Sequence, residues 1–322
     1  MNNLFNIKYQ PKKIEDFEFD ENLKQLFINM VIMDNLSLMI IGNSGSGKTT
    51  LINVLINEYY KDINNQNRNN NIMIINTLKE QGIQYYRNEV KTFCQIPSNI
   101  KNRKKIIVLD DIDLINEQSQ QVFRNCMDKY SHNVHFICSC INTQKVIESI
   151  QSRMINIKLT LLTKEKLKKI FNKIKPNENF IIDKDAENFI LNISNNSIRI
   201  LINYMEQFKL INKNIDYELV NKLCTNINFN EFDEFLNLCM KNKLEEAVSI
   251  ILNIYEKGFS VIDILDNFFI FIKINSNLSE AYKYELIKLL CKYITIFNNI
   301  HEDEIELCLF ANNIIDIFVE NK

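Results

Sequence analysis

Apolar residues recur along this chain with two different periods, and the change of period divides it. In the first half, short apolar runs stand at residues 36–41, 72–75, 106–109 and 134–140. Their length and continuity suit strands buried on both faces. Between them the apolar positions take helical spacing, as at Leu51, Val54 and Leu55 within residues 49–60. Strands alternating with helices predict an α/β domain whose parallel sheet is covered on both faces. Residues 61–71 (KDINNQNRNNN) are polar throughout and read as a solvated loop.

Beyond about residue 160 the strand signal stops. Leu167, Ile170, Phe171 and Ile174 keep helical spacing, with Thr163 as N-cap and an end expected before Pro176. Phe189, Ile190 and Ile193 mark a second helix, and Ile198, Leu201, Ile202 and Met205 a third. From about residue 226 the pattern stays helical, with turns expected near Gly258 and Ser276. The run 268–272 (FFIFI) is apolar all round, which predicts burial within the fold or against another subunit. There is no internal repeat. The expected division is 1–160 for the α/β domain, 161–225 for a small helical domain and 226–322 for a C-terminal helical domain.

Composition narrows the classes. With 322 residues, 46% hydrophobic and 24% charged, the chain is long enough for two or three globular domains. A net charge of −2 gives no overall basic field, so any contact with a polyanion needs a local patch. The eight cysteines form no C-x-x-C pair, and zinc spacing is absent, which points to reduced thiols in an intracellular protein. Cys138 and Cys140 alternate along a strand and should share one face. The N-terminus has no apolar signal core, and no apolar run spans a bilayer, so no membrane role is expected.

Three of only five glycines fall between positions 42 and 47. Gly42, Asn43, Ser44, Gly45, Ser46, Gly47, Lys48 and Thr49 fit the P-loop pattern G-x-x-x-x-G-K-[ST] at every fixed position, between a predicted strand and a predicted helix. Such a loop turns its N–H groups inward as an anion nest, and the following helix adds its positive end. Lys48 would reach the β and γ phosphates of ATP, with Thr50 beside it in the helix start. Thr49 would ligate Mg²⁺ through its hydroxyl. The run 106–109 ends on Asp110 and Asp111. Asp110 would bind Mg²⁺ through water, Asp111 would orient and deprotonate an attacking water, and Asp113 would cap the next helix.

The order of these segments resembles the small subunits of replication factor C, the AAA+ ATPases of sliding-clamp loaders, over about residues 4–210. NIKYQPKKIEDF resembles the family's E-K-Y-R-P segment beside the adenine. Tyr9 and Pro11 match, and Gln10 replaces the arginine. Residues 76–95 resemble N-A-S-D-x-R-G-I, with Gly82, Ile83 and Arg87 matching and Gln81 in place of arginine. QQVFRNCMDKYS resembles Q-Q-A-L-R-R-x-M-E-x-Y-S, and IESIQSRM resembles I-E-P-I-Q-S-R-C. The resemblance makes Arg153 the finger that reaches a neighbouring subunit's ATP. NNSIRILINYMEQF resembles G-D-M-R-Q-A-I-N-N-L-Q, which makes Arg199 the lid's sensor arginine.

The resemblance implies an AAA+ P-loop domain, a helical lid and a helical C-terminal collar. It also implies a ring-like spiral of five clamp-loader subunits, a sliding clamp as partner, and primer–template DNA held without sequence preference, at the intracellular site of replication. Lys79, Arg87 and Lys91 are the candidate DNA contacts, Phe93 either faces the clamp or packs into the core, and the run 101–105 (KNRKK) reads as a solvated loop. Two departures concern catalysis. Asp111 is one methylene shorter than the family's glutamate, and Ile141 holds the place of the sensor asparagine, with Asn142 one residue later. ATP binding therefore follows more firmly than hydrolysis at this site. The alternatives are another AAA+ remodelling ATPase, or a subunit with a silent site that donates its finger.

Overall fold

The computed structural model describes residues 4–76, 83–211, 215–224, 227–275, 278–297 and 303–320. The chain divides into two compact units, residues 1–179 with 196–212, and residues 180–195 with 213–322.

The first unit is built on five parallel strands: β1 (Leu38–Ile41), β2 (Ile72–Asn76), β3 (Lys105–Asp110), β4 (Val134–Cys140) and β5 (Ile155–Lys158). Their order is β2-β3-β4-β1-β5. Alternate residues feed opposite cores. Leu38, Ile40, Ile106, Val108 and Ile137 face one cluster, and Met39, Ile107, Leu109, Phe136, Cys138 and Cys140 face the other. The two cysteines do share a face, and all the described cysteines are free thiols. In register Ile41 pairs with Cys140 and Asn76 with Asp110, so the loop after β1 and the carboxylates after β3 leave the same edge of the sheet. That edge is where open α/β sheets bind ligands.

The helices follow from the 3.6-residue pattern. α1 (Phe5–Lys8) and α2 (Glu21–Ile32) precede the sheet, and α3 (Lys48–Tyr59) buries Leu51, Val54 and Leu55 as expected. α4 (Asn65–Asn70) lies within the polar segment 61–71, which was expected to be a loop. Its composition carries no apolar stripe, and contacts with β2 rather than periodicity support it. α5 (Ile83–Tyr85), a wide turn over Tyr86–Val90, and α6 (Lys91–Gln95) lead to β3. α7 (Glu117–Tyr130) and the short α8 (Glu148–Gln151) flank β4. The side chain of Asn116 caps α7, accepting from the Ser119 N–H, so Asp113 does not serve as that cap.

Three helices come next: α9 (Lys164–Asn177), α10 (Lys184–Ile193) and α11 (Ile198–Ile211). α9 and α11 belong to the first unit and α10 to the second. Thr163 caps α9, accepting from the Lys166 N–H at 3.4 Å. The helix runs through Pro176 instead of stopping before it. Pro176 stands one residue from the helix end, where the terminal turn can open slightly and only one hydrogen bond, to Asn172, is forfeited.

The segment 101–105 is less solvated than its composition suggests. Lys105 is 3% exposed and donates to the Phe93 carbonyl at 3.1 Å, with its ammonium 4.4 Å from that ring's centroid. Arg103 stacks on Tyr59 and Lys104 pairs with Asp34.

The second unit adds α12 (Tyr217–Leu223), α13 (Phe229–Met240), α14 (Leu244–Glu256), α15 (Val261–Ile274), α16 (Glu280–Phe297) and α17 (Glu304–Glu320). Phe232, Phe235, Phe268, Phe271 and Phe310 form its aromatic centre, with Phe268 and Phe310 edge-to-face at 5.7 Å. Phe268, Phe271 and Ile272 are buried, whereas Ile270 is 47% exposed, so the FFIFI run is not buried all round. Gly258 makes the expected turn with φ 94°, and Ser276 lies outside the described residues. Among the described residues, no helix is long and apolar enough to cross a membrane.

Candidate functional site

The loop between β1 and α3 bends through two glycines with positive φ, Gly45 at 77° and Gly47 at 90°. Gly47 is also the N-cap residue of α3. At Gly42 a side chain would meet the Leu159 carbonyl at 2.9 Å, so close backbone approach fixes that glycine. Lys48 is 7% exposed, and its ammonium donates to the carbonyls of Gly42 at 2.9 Å and Asn43 at 3.2 Å. The Ser46 hydroxyl is buried without a protein partner. A loop that holds a cation inward and keeps a hydroxyl unpaired has polar groups left over for a ligand.

The carboxylates meet this loop from β3. The Thr49 hydroxyl donates to Asp110 Oδ2 at 3.0 Å. Ser139, fully buried on β4, donates to Asp110 Oδ1 at 2.5 Å and accepts from the Asp111 N–H at 2.9 Å. Asp111 itself sits at φ 54°, a conformation that few non-glycine residues adopt. Burial first, then the charges of Asp110 and Asp113, push its carboxyl above the usual aspartate range, against the pull of Lys48. Asp113 accepts from the N–H groups of Ile141 and Asn142 at 3.2 and 3.0 Å. The Asn142 side chain accepts from the Gln144 N–H at 2.9 Å, a local cap, while Ile141 is 49% exposed.

A cavity of about 380 Å³ opens beside the loop, within the size range of small-molecule sites. Tyr9, Pro11 and Phe17 line one part, Gly45, Ser46, Gly47 and Thr50 another, and Arg199 a third. The Arg199 guanidinium donates to Ser44 Oγ at 3.4 Å. Every lining residue belongs to the first unit.

Arg153 stands apart from this cavity. It is exposed, with Nε 2.5 Å from Asp128 Oδ1 and Nη1 2.6 Å from the Ser149 carbonyl. Arg87 and Lys91 are exposed four residues apart on the helical stretch before β3. Lys79, Gln81 and Gly82 lie outside the described residues.

Residues 38–161 match the profile of the ATPase family associated with various cellular activities, and residues 228–293 match the replication factor C C-terminal domain. The chain is 29% identical to a replication factor C small subunit of Picrophilus torridus, over 91% of each chain. It is 28% identical to a putative replication factor C small subunit of Acanthamoeba polyphaga mimivirus, over 87% of this chain and 86% of that one. The chain belongs to the replication factor C small-subunit family. It is thus an AAA+ ATPase and a clamp-loader subunit. The Holliday-junction branch-migration motor RuvB of Thermotoga maritima shares the fold, with a TM-score of 0.54 at 14% identity over 76% of this chain and 85% of that one.

As a replication factor C small subunit, the chain has a nucleotide site whose donors suit magnesium. Mg²⁺ takes one or two protein oxygens and fills its remaining positions with phosphate and water. Thr49 and Asp110 offer two hard oxygens that already touch. Sequence reasoning passed over two residues here. Ser139 is a hydroxyl in an apolar strand, and that mismatch is the signal that could have marked it. Gln120 is fully buried, its amide donating to the carbonyls of Ile115 at 2.8 Å and Lys145 at 2.9 Å while its carbonyl accepts from the Ile147 N–H at 2.9 Å. It staples the segment after the carboxylates to the segment that carries Arg153.

Proposed function

We propose that this subunit binds ATP with Mg²⁺ between its P-loop and lid, and works in a five-membered ring that opens a sliding clamp and loads it onto primer–template DNA. The observation that carries this reading is the convergence of Tyr9, Pro11, the P-loop and Arg199 on one cavity, with Thr49 and Asp110 in hydrogen-bond contact beside it.

In this reading Lys48 leaves its loop carbonyls for the β and γ phosphates, and the loop N–H groups hold the phosphate oxygens. Thr49 and Asp110 hold the magnesium ion, which supplies charge neutralisation on the phosphates. Asp111 receives the proton of the attacking water, and its raised pKa suits a base better than an ordinary aspartate. Arg199 contacts the γ phosphate from the lid. Arg153 exchanges Asp128 for the ATP of a neighbouring subunit and stabilises the charge of the transition state there. Residues 1–160, 161–225 and 226–322 act as nucleotide domain, lid and collar. Arg87 and Lys91, with Lys79, contact DNA phosphates without reading bases, as suits a loader that accepts any primer end. The work is done inside the cell, where DNA is copied.

The test is reconstitution of the full assembly with its clamp. DNA-stimulated ATPase that depends on the clamp supports the reading, and turnover indifferent to both contradicts it. A second reading is favoured by Asp111, shorter than the family's glutamate and held at positive φ. It makes this site a silent ATP holder whose contribution is Arg153. If Asp111→Asn leaves turnover of the assembly unchanged, that second reading is the correct one.

A further inference from the structure

One buried carboxylate joins three segments that wall the cavity of the first unit. Glu178 ends α9 and is 7% exposed. An unpaired carboxylate at that depth would be strongly disfavoured. Its Oε1 accepts from the Tyr9 hydroxyl at 2.5 Å and from the Lys8 ammonium at 2.5 Å. Lys209, on α11, places Nζ 3.8 Å from Oε2 and donates to the Glu178 carbonyl at 2.8 Å. Burial alone would raise this carboxyl's pKa. The hydrogen bonds from Lys8 and Tyr9 hold it below the usual range instead, so it is anionic at neutral pH.

The partners of Glu178 matter because of where they lead. Lys8 and Tyr9 belong to the N-terminal segment, which is fastened to α11 at two further points. The Phe5 N–H donates to Glu206 Oε1 at 3.2 Å, and Asn6 Nδ2 donates to Asn203 Oδ1 at 2.7 Å. α11 carries Arg199 in its first turn, beside the P-loop. Tyr9 and Arg199 both line the cavity. An apolar side chain at position 178 could pack as tightly as an ion pair, but it could not hold a phenol by its hydroxyl.

We propose that Glu178 is a positioning residue for nucleobase recognition: it ties the N-terminal segment to α9 and α11 and so fixes Tyr9 at the cavity wall, where the base end of a nucleotide lies, while the phosphate end is held separately by the P-loop. This rests on the reading of the cavity as an adenine-nucleotide site.

The test compares binding of MgATP with binding of magnesium tripolyphosphate, which has the phosphates without the base, by the full chain. Glu178→Leu removes every polar contact of the side chain. Tyr9→Phe keeps the ring and removes the hydroxyl, and Glu178→Gln keeps an acceptor for that hydroxyl. Glu178→Leu and Tyr9→Phe are expected to weaken ATP binding about tenfold, the loss of one hydrogen bond to a charged group, and to leave tripolyphosphate binding unchanged. Glu178→Gln is expected to recover most of that loss. An equal fall for both ligands in Glu178→Leu, or an unchanged ATP affinity, overturns the inference. Should Glu178→Leu fail to fold, Tyr9→Phe decides alone, and an unchanged ATP affinity in it overturns the inference. A wild-type chain that binds neither ligand would instead overturn the reading of the cavity itself.

Discussion

The two units bury different kinds of residue. The first holds Lys48, Lys105, Gln120, His135, Ser139 and Glu178 at less than a tenth of their surface exposed. The second packs an almost wholly apolar core, with phenylalanine rings at its centre. A buried polar group is stabilising only when its partners are in place. The first unit therefore carries many interactions whose geometry must be right, and those of Lys48, Ser139 and Glu178 lie in or beside the nucleotide site. The second gains stability from area and shape, which are indifferent to ligand chemistry. The contrast separates a region built to respond to a ligand from one built to hold together.

That separation can be broken by experiment. The largest effect is expected at Arg153, which is exposed on the first unit and paired with Asp128. Arg153→Ala in the reconstituted assembly should lower hydrolysis at the neighbouring subunit's ATP site by a factor of about 10³, read by single-turnover measurement. The same substitution should leave the chain's own ATP affinity unchanged, as measured by fluorescent-nucleotide titration. A parallel loss of affinity would put Arg153 in the wrong site.

Phe268→Ala should act only through stability. Phe268 is fully buried among four other phenylalanine rings. Truncation should cost the second unit about 3–5 kcal/mol, read as an earlier denaturant transition. ATP affinity should not move, and a change in it would mean that the two units are not energetically separate.

Gln120→Ala tests the polar side of the contrast. It strips partners from the carbonyls of Ile115 and Lys145 and from the Ile147 N–H. Each buried group left unpaired costs about 1–3 kcal/mol. The first unit should melt earlier, and turnover at the neighbouring site should fall as Arg153 loses its support. Stability lost with full turnover retained would make Gln120 a packing residue only.

The smallest effect is one of pH. Asp111 must be deprotonated to act as a base, and its pKa lies above the ordinary aspartate value. Turnover should therefore fall with acidification at a higher pH than an exposed aspartate would give, and this acid limb should vanish in whatever activity Asp111→Asn retains. An identical pH profile in the variant would remove Asp111 from the proton path.

Much of this was legible in the sequence, for physical reasons. The P-loop occupies consecutive residues, so its spacing is visible without a fold, and the strand before it is a continuous apolar run fed into both cores. β5 escaped notice because INIK is short, mixes apolar with polar residues and buries only Ile157. α4 was hidden by a polar composition that contacts with β2 override. Asp113 read as a helix cap but anchors the chain after β4, and Asn116 caps α7. Although a hydroxyl in an apolar strand marks Ser139, what Ser139 and Glu178 bind was illegible for a different reason. Their partners lie 29 and 170 residues away, and only the closed fold brings them together.

Nucleotide binding through the P-loop and Arg199 is measured by titration calorimetry of MgATP into the purified chain, beside its Lys48→Ala and Arg199→Ala variants. One site is expected in the wild type, with loss of measurable binding in Lys48→Ala and clear weakening in Arg199→Ala, all three proteins being folded. Equal heats from the wild type and Lys48→Ala would contradict binding through the P-loop.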